Sequence, residues 1–204
     1  MRRQKRVELV VASRNQNKIK EIKDILKGAK FLKITSLGDY PGAPYITENG
    51  KSFKENAIKK AMKVARFTQK LTLGEDSGLE VIALGGKPGI HSSRFSGRNK
   101  NDLKNNLKLL RLLDNTPLPK RKARYVCSVA LANKSGLVGV VKGVCSGVIG
   151  FKMLGSTGFG YDPLFIIPKY KRTFAQLGPR IKHKMSHRFR ALQKARGIIL
   201  KYSG

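Results

Sequence analysis

Two neighbouring carboxylates, Glu75 and Asp76, stand in a chain that has few acids. It carries 43 Lys and Arg against 12 Asp and Glu, and no acidic residue follows Asp162. The pair lies where an apolar segment (Leu71, Leu73) runs into Ser77-Gly78. Side by side, such groups raise each other's pKa unless a cation sits with them. A hard divalent metal, which takes oxygen ligands and in turn holds phosphates, is the simplest such cation. The bland alternative is a solvated acidic turn.

Four further constellations carry chemistry. Ser13-Arg14-Asn15-Gln16-Asn17-Lys18 reads as a polar turn opening a helix. Free N–H groups at a helix start, together with a lysine, can cradle phosphate; Ser and Asn are equally ordinary N-caps. The segment Thr47–Ala61 opens a helix in which Phe53, Ala57, Ala61, Val64 and Ala65 mark a buried stripe, and Asn56 and Lys60 fall on or beside it. A lysine there either projects towards an anion or snorkels from the edge of the stripe. Ser156–Pro163 places glycines on both sides of Phe159, a setting that can expose a ring for stacking. The same residues also fit a turn with a core Phe capped by Asp162. Finally, Lys182–Arg188 sets His187 and Arg188 in the first turn of a helix, where cations are disfavoured unless an anion or carbonyl meets them.

These residues need a scaffold. Val7–Ala12 reads as a buried strand, followed by a helix from about Lys18 to Lys27 that Gly28 stops. A second helix runs from Ser52 to about Thr68. Leu71–Gly74 and Leu79–Leu84 read as strands around the acidic turn. Asn101–Leu113 reads as a third helix. Arg124–Ala132 and Leu137–Val148 form a hairpin about Asn133-Lys134-Ser135-Gly136. Strand-like Leu164–Ile167 follows a glycine-rich loop, and a last helix starts near Ser186. Strands mixed with helices point to an α/β or α+β domain.

Length and composition bound the rest. The 204 residues fit one domain over 1–204, of two lobes, with a basic extension over 1–6. Hydrophobic content of 40% excludes a disordered polycation despite a net charge of +31. No apolar run nears the ~20 residues that span a membrane, and no secretory leader is recognisable. The expectation is a cytoplasmic protein. Cys127 and Cys145 have no metal-binding or redox spacing and read as buried thiols. The basic residues recur through every helix instead of forming an arm, so nonspecific adhesion to nucleic acid at low salt is expected.

Taken together, the motifs resemble the inosine triphosphate pyrophosphatase family, near-colinearly from Val7 to about Leu200. The resemblance rests on Ser-x-Asn-x-x-Lys at 13–18, Ser-Phe-x-Glu-Asn-Ala at 52–57, Glu-Asp-Ser-Gly-Leu at 75–79 and Gly-Gly-x-Pro-Gly at 85–89. Gly-Phe-Gly-Tyr-Asp-Pro at 158–163 and Ser-His-Arg at 186–188 complete it. It implies an elongated α/β fold with a long mixed sheet flanked by helices, two lobes and a central active-site cleft. It further implies a homodimer, Mg²⁺, and hydrolysis of the purine nucleoside triphosphates ITP, dITP and XTP to monophosphate and pyrophosphate. By the same resemblance Asp76 is catalytic and binds metal with Glu48. Lys18 and Lys60 contact the triphosphate, with Ser13 and Asn15 in the same loop and Ser77 beside the catalytic acid. Phe159 stacks on the base, followed by Gly160 and Tyr161, while Asp162, Lys182, His187 and Arg188 recognise it. Arg14 departs from the family pattern, standing where the family often has Gly and where a positive φ would strain it. The competing class is a polyanion-binding protein that reuses this fold.

Overall fold

The computed structural model describes residues 6–203, so the basic extension expected over 1–6 lies, apart from Arg6, outside the described residues. Among the described residues seven strands form one mixed sheet: β1 (Val7–Val11), β2 (Leu32–Ser36), β3 (Leu71–Val81), β4 (Lys122–Asn133), β5 (Gly136–Ile149), β6 (Phe165–Ile167) and β7 (Arg172–Thr173). Their order is β2-β1-β3-β4-β5-β6-β7. Among the described residues five α-helices accompany them: α1 (Gln16–Leu26), α2 (Phe53–Thr68), α3 (Asp102–Leu112), α4 (Phe174–Lys182) and α5 (His187–Ser203). The architecture is α/β, as expected. Among the described residues no helix is long and apolar enough to cross a membrane.

The chain divides into two compact units. The first comprises Met1–Asp76, Cys127–Gly143 and Arg188–Gly204. In it β1 pairs in parallel with β2 and β3, and Val11 stands opposite both Ser36 and Leu73. Parallel pairs need crossovers, which α1 and α2 supply. Leu71 and Leu73 of β3 belong to a core with Ile19, Ile22 and Leu26 of α1, Cys127 and Val129 of β4, and Leu192 and Ile199 of α5. The alternate residues Thr72 and Gly74 face the other way. At Gly74 an added Cβ would meet Ala57 O at 2.2 Å and Ala61 N at 2.5 Å, so the backbones of β3 and α2 are in near contact. The alanines of α2 allow that approach. Ser52 caps α2 by accepting from Glu55 N at 3.1 Å, and Gln69 ends it in the left-handed region at φ 57°.

The second unit comprises Ser77–Val126 and Val144–His187. Its core joins Leu79, Leu109, Leu113, Tyr125, Ile149, Phe165 and Phe174. Tyr125 and Phe165 rings lie 4.6 Å apart, and Phe165 and Phe174 rings 5.3 Å apart. Arg121 is buried as well, its guanidinium donating to the Leu113, Thr116, Ile149 and Gly150 carbonyls. Antiparallel β5, β6 and β7 complete the sheet on this side.

The acidic turn expected between two strands does not exist. β3 runs unbroken through Glu75 and Asp76, both of which are buried. An extended strand sends successive side chains to opposite faces, so the two carboxylates are separated instead of crowded. Strands β2 and β7 and helix α4 are not among the expected elements. α4 is masked by Gly178-Pro179, which sits inside it with Gly178 at φ 74°. Arg14 needs no positive φ; its guanidinium donates to Ala43 O at 2.8 Å.

Replacing Gly74 by Ala should therefore cost at least about 1–3 kcal/mol through overpacking. Gly197→Ala, in open space on α5, should instead gain roughly 1 kcal/mol from helix propensity. Urea denaturation of the two variants beside the parent chain measures both signs.

Candidate active site

Asp76 faces α2. Its Oδ1 lies 3.1 Å from Lys60 Nζ and its Oδ2 accepts from Asn56 Nδ2 at 3.1 Å. Lys60 Nζ also lies 3.1 Å from Glu48 Oε1 and donates to Glu75 O at 3.0 Å. Asn56 accepts from Gly50 N at 2.8 Å, which ties the loop carrying Glu48 to the helix that serves Asp76. Burial pushes the Asp76 carboxyl above the ordinary carboxylate value. Glu48 and Glu75 add to that, while Lys60 and Lys18 pull against it. A buried carboxylate that holds protons more tightly than usual is suited to accept one from water.

Glu75 faces the opposite side of β3, towards α1 and α5. Its Oε2 is 2.8 Å from Lys18 Nζ, and its Oε1 lies 3.1 Å from Arg188 Nη2 and 3.3 Å from Cys127 Sγ. Arg188 also pairs with Glu21 of α1. Burial lowers the Lys18 pKa, but Glu75 and Asp76 outweigh it and the ammonium ends above its usual value. Burial likewise opposes the charge on Arg188, and Glu75 and Glu21 again prevail. Both cations are therefore held charged. The Cys127 thiol is pushed far up, by burial first and then by Glu75, which makes it a poor nucleophile.

The second unit holds a separate cluster. Asp162, 1% exposed, accepts from Phe159 N at 2.9 Å, Lys182 Nζ at 2.5 Å and Tyr125 OH at 3.4 Å. Lys182 Nζ stands 4.8 Å over the Phe159 ring. His187 stacks on Tyr125 at 4.5 Å with the rings 8° from parallel. Phe159 itself is half-buried, flanked by Gly158 at φ 82° and Gly160 at φ 64°. Such φ values exclude most side chains, so the two glycines are required by the turn.

A model of the Ham1 family matches residues 9–198. The chain belongs to the Ham1 family. A relative from Desulforamulus reducens, named dITP/XTP pyrophosphatase, is 46% identical over 193 residues, which cover 95% of this chain and 96% of that one. The Ham1 protein of Staphylococcus aureus superposes with a TM-score of 0.84 at 38% identity, covering 96% and 99% of the two chains. A Ham1 protein from Coxiella burnetii gives 0.85 at 35% identity over the same shares.

Within this Ham1 fold the expected site residues fall into distinct places. Glu48, Lys60 and Asp76 are brought together in the first unit, whereas Lys18 pairs with Glu75 on the other face of β3. Asn15 is the N-cap of α1, accepting from Lys18 N at 3.2 Å, and Ser13 Oγ accepts from Asn15 N at 3.1 Å. Phe159, Gly160, Asp162, Lys182 and His187 gather in the second unit, which begins at Ser77. Tyr161 differs from the others: it is packed in the core with its hydroxyl donating to Ser92 O at 2.8 Å, so it supports the loop from beneath. Arg188, expected beside Lys182 in base recognition, is 1% exposed and pairs with Glu21 and Glu75. The anion that offsets its position at a helix start is thus the protein's own. Sequence reasoning missed Glu21. Its signal was an acid on the apolar face of α1, three residues after Lys18, in a chain poor in acids.

Removing Arg188 leaves two buried carboxylates short of a counter-charge. Arg188→Ala should cost about 3–5 kcal/mol of folding stability. A guanidinium denaturation midpoint within error of the parent's would show that Arg188 does not hold this cluster.

Proposed function

We propose that this chain hydrolyses ITP, dITP and XTP to the monophosphate and pyrophosphate, removing them from the nucleotide pool. The observation that carries the reading is Asp76, buried, with a raised pKa and in contact with Lys60. The family membership and the name of the Desulforamulus relative support it. A polyanion binder would have no use for buried acids so arranged.

Glu48 and Asp76 fit a divalent cation, because oxygens of both converge on one cationic position, now taken by Lys60 Nζ. Among the described residues no group of three His, Cys, Asp or Glu side chains forms a metal site. Two carboxylates completed by phosphate oxygens and water suit Mg²⁺. Bound there, Mg²⁺ would draw charge from the phosphate oxygens and make a water more acidic. The residues of the chain supply the rest. Asp76 orients a water and accepts its proton as the water oxygen bonds to the α-phosphorus. The bond from that phosphorus to the α–β bridging oxygen breaks, and its electron pair leaves with pyrophosphate. Lys18 and Lys60 take up charge on the phosphate oxygens, and Ser13, Asn15 and Ser77 border them. Positioning and electrostatics supply most of the rate in such reactions.

Phe159 stacks on the base in this reading. Lys182 and His187 meet a 6-oxo group, with Asp162 as acceptor for a base N–H. Adenine offers an amino donor at position 6, and a site built around one hydrogen bond rejects the mismatch. The enzyme is read as a homodimer on the strength of the resemblance, and as cytoplasmic in keeping with the expectation from the sequence.

With Mg²⁺ present, ITP, dITP and XTP should each release pyrophosphate in assays that separate it from orthophosphate. Orthophosphate as the first product would mean attack at the γ-phosphorus and overturn the reading.

The surface charge predicts a second behaviour. Most of the acids are committed internally, as with Glu8 to Lys70, Glu55 to Lys51 N and Glu80 to Arg124. Adhesion to DNA should be strong at low salt and fall steeply as salt rises. A filter-binding series run beside ITP hydrolysis should show adhesion vanishing at salt that still permits turnover.

A further inference from the structure

The residue after Phe159 is held from an unexpected direction. Gly160 N donates to Asp102 Oδ2 at 2.7 Å, and Gly160 O accepts from Asn106 Nδ2 at 2.8 Å. Both backbone groups of one residue are thereby taken by two side chains of α3. Asp102 and Asn106 stand four apart, hence on one face of the helix. Asn106 Nδ2 also donates to Asp102 O at 2.7 Å, which fixes its amide, and its side chain is 2% exposed. An Asn buried in a helix interior works against helix propensity and needs a reason.

The reason lies in the loop. Glycine has more accessible backbone conformations than any other residue, so a Gly-Phe-Gly segment has little preference of its own for where its ring points. Four polar contacts remove that freedom here. Phe159 N donates to Asp162 Oδ2, Asp162 N donates to Phe159 O at 3.3 Å, and the two α3 side chains hold Gly160. Gly160 cannot contribute through packing, since an added Cβ would meet nothing within 4 Å. The hydrogen bonds are what hold it.

We propose that Asp102 and Asn106 are positioning residues that set the Phe159 ring for base stacking, and so govern nucleotide affinity without touching the nucleotide. This rests on the reading of Phe159 as the stacking residue. A flexible ring must be ordered when the base arrives, whereas a ring already held spares that cost.

The test is a double-mutant cycle on the full chain, with KM and kcat for ITP and inhibition by inorganic triphosphate, which has no base. Asp102 is exposed, so Asp102→Ala should fold, and matched circular dichroism checks it. The expected result is a KM for ITP raised about tenfold, within what stacking on an aromatic ring contributes, with kcat moving less. Inhibition by inorganic triphosphate should stay constant. Asp102→Asn, which keeps an acceptor, should recover most of the lost affinity, and Asn106→Asp, which loses the donor, should behave like Asp102→Ala. In a Phe159→Ala background, Asp102→Ala should add little. A full additional loss in that background would overturn the proposal, because the clamp would then act other than through the ring. Parallel weakening of inorganic triphosphate would overturn it too, as a general structural effect. If Phe159→Ala itself leaves the KM for ITP unchanged, the stacking reading fails first, and the two failures are told apart.

Discussion

Alternation of side chains along β3 is the constraint on which the site depends. Two adjacent carboxylates in a buried strand must point to opposite faces, and each face then demands its own cations. Towards α2, Asp76 meets Lys60 and Asn56. Towards α1 and α5, Glu75 meets Lys18 and Arg188, and Glu21 shares the arginine. The sheet itself keeps two negative charges, one residue apart, from sharing one space. It also separates their tasks. The Glu75 face has cations held firmly charged around a carboxylate, which suits a scaffold. The Asp76 carboxyl has its pKa raised by burial, which suits a base.

The helices follow from this. α2 can deliver Lys60 and Asn56 to Asp76 only if it lies against β3, and Gly74 with Ala57 and Ala61 makes that approach possible. α1 brings Lys18 and Glu21 to the other face, while its N-cap Asn15 fixes where the helix begins. In the second unit polar side chains again order their surroundings. A loop of two glycines and a phenylalanine gains its order from Asp162 and from two polar side chains of α3. Buried polar groups cost stability unless satisfied, so each of these placements constrains its neighbours.

Much of this was legible in the sequence, and the parts that were not have physical causes. The stripe of α2 and the starts of α2 and α3 near Ser52 and Asn101 follow directly from residue types. Glu75-Asp76 pointed to the site because acids are rare in this chain, yet the expectation of a turn was wrong. Polarity normally marks a turn, and only the buried lysines and arginine allow a strand to carry two carboxylates through its middle. Arg188 was legible as a cation needing an anion, but not that Glu21, 167 residues away, would supply it. Tyr161 read as part of the ligand loop, because a strand-to-loop motif does not say which side chains turn inward. The role of Asp102 and Asn106 was hidden for a similar reason: the contacts of α3 are with backbone atoms more than fifty residues away, and backbone has no sequence signature.

The division of labour across β3 is the central claim, and isosteric neutralisation of each carboxylate tests it in one experiment. Glu75→Gln and Asp76→Asn would be compared with the parent by chemical denaturation at neutral pH. A carboxyl with a raised folded-state pKa stabilises the fold while protonated, and that contribution is lost as pH rises through the folded pKa. Asp76→Asn, neutral at every pH, should therefore keep or raise stability at pH 7. Glu75→Gln should lose about 3–5 kcal/mol by leaving buried cations short of a partner. Equal losses in the two variants, or a larger one at Asp76, would contradict the account.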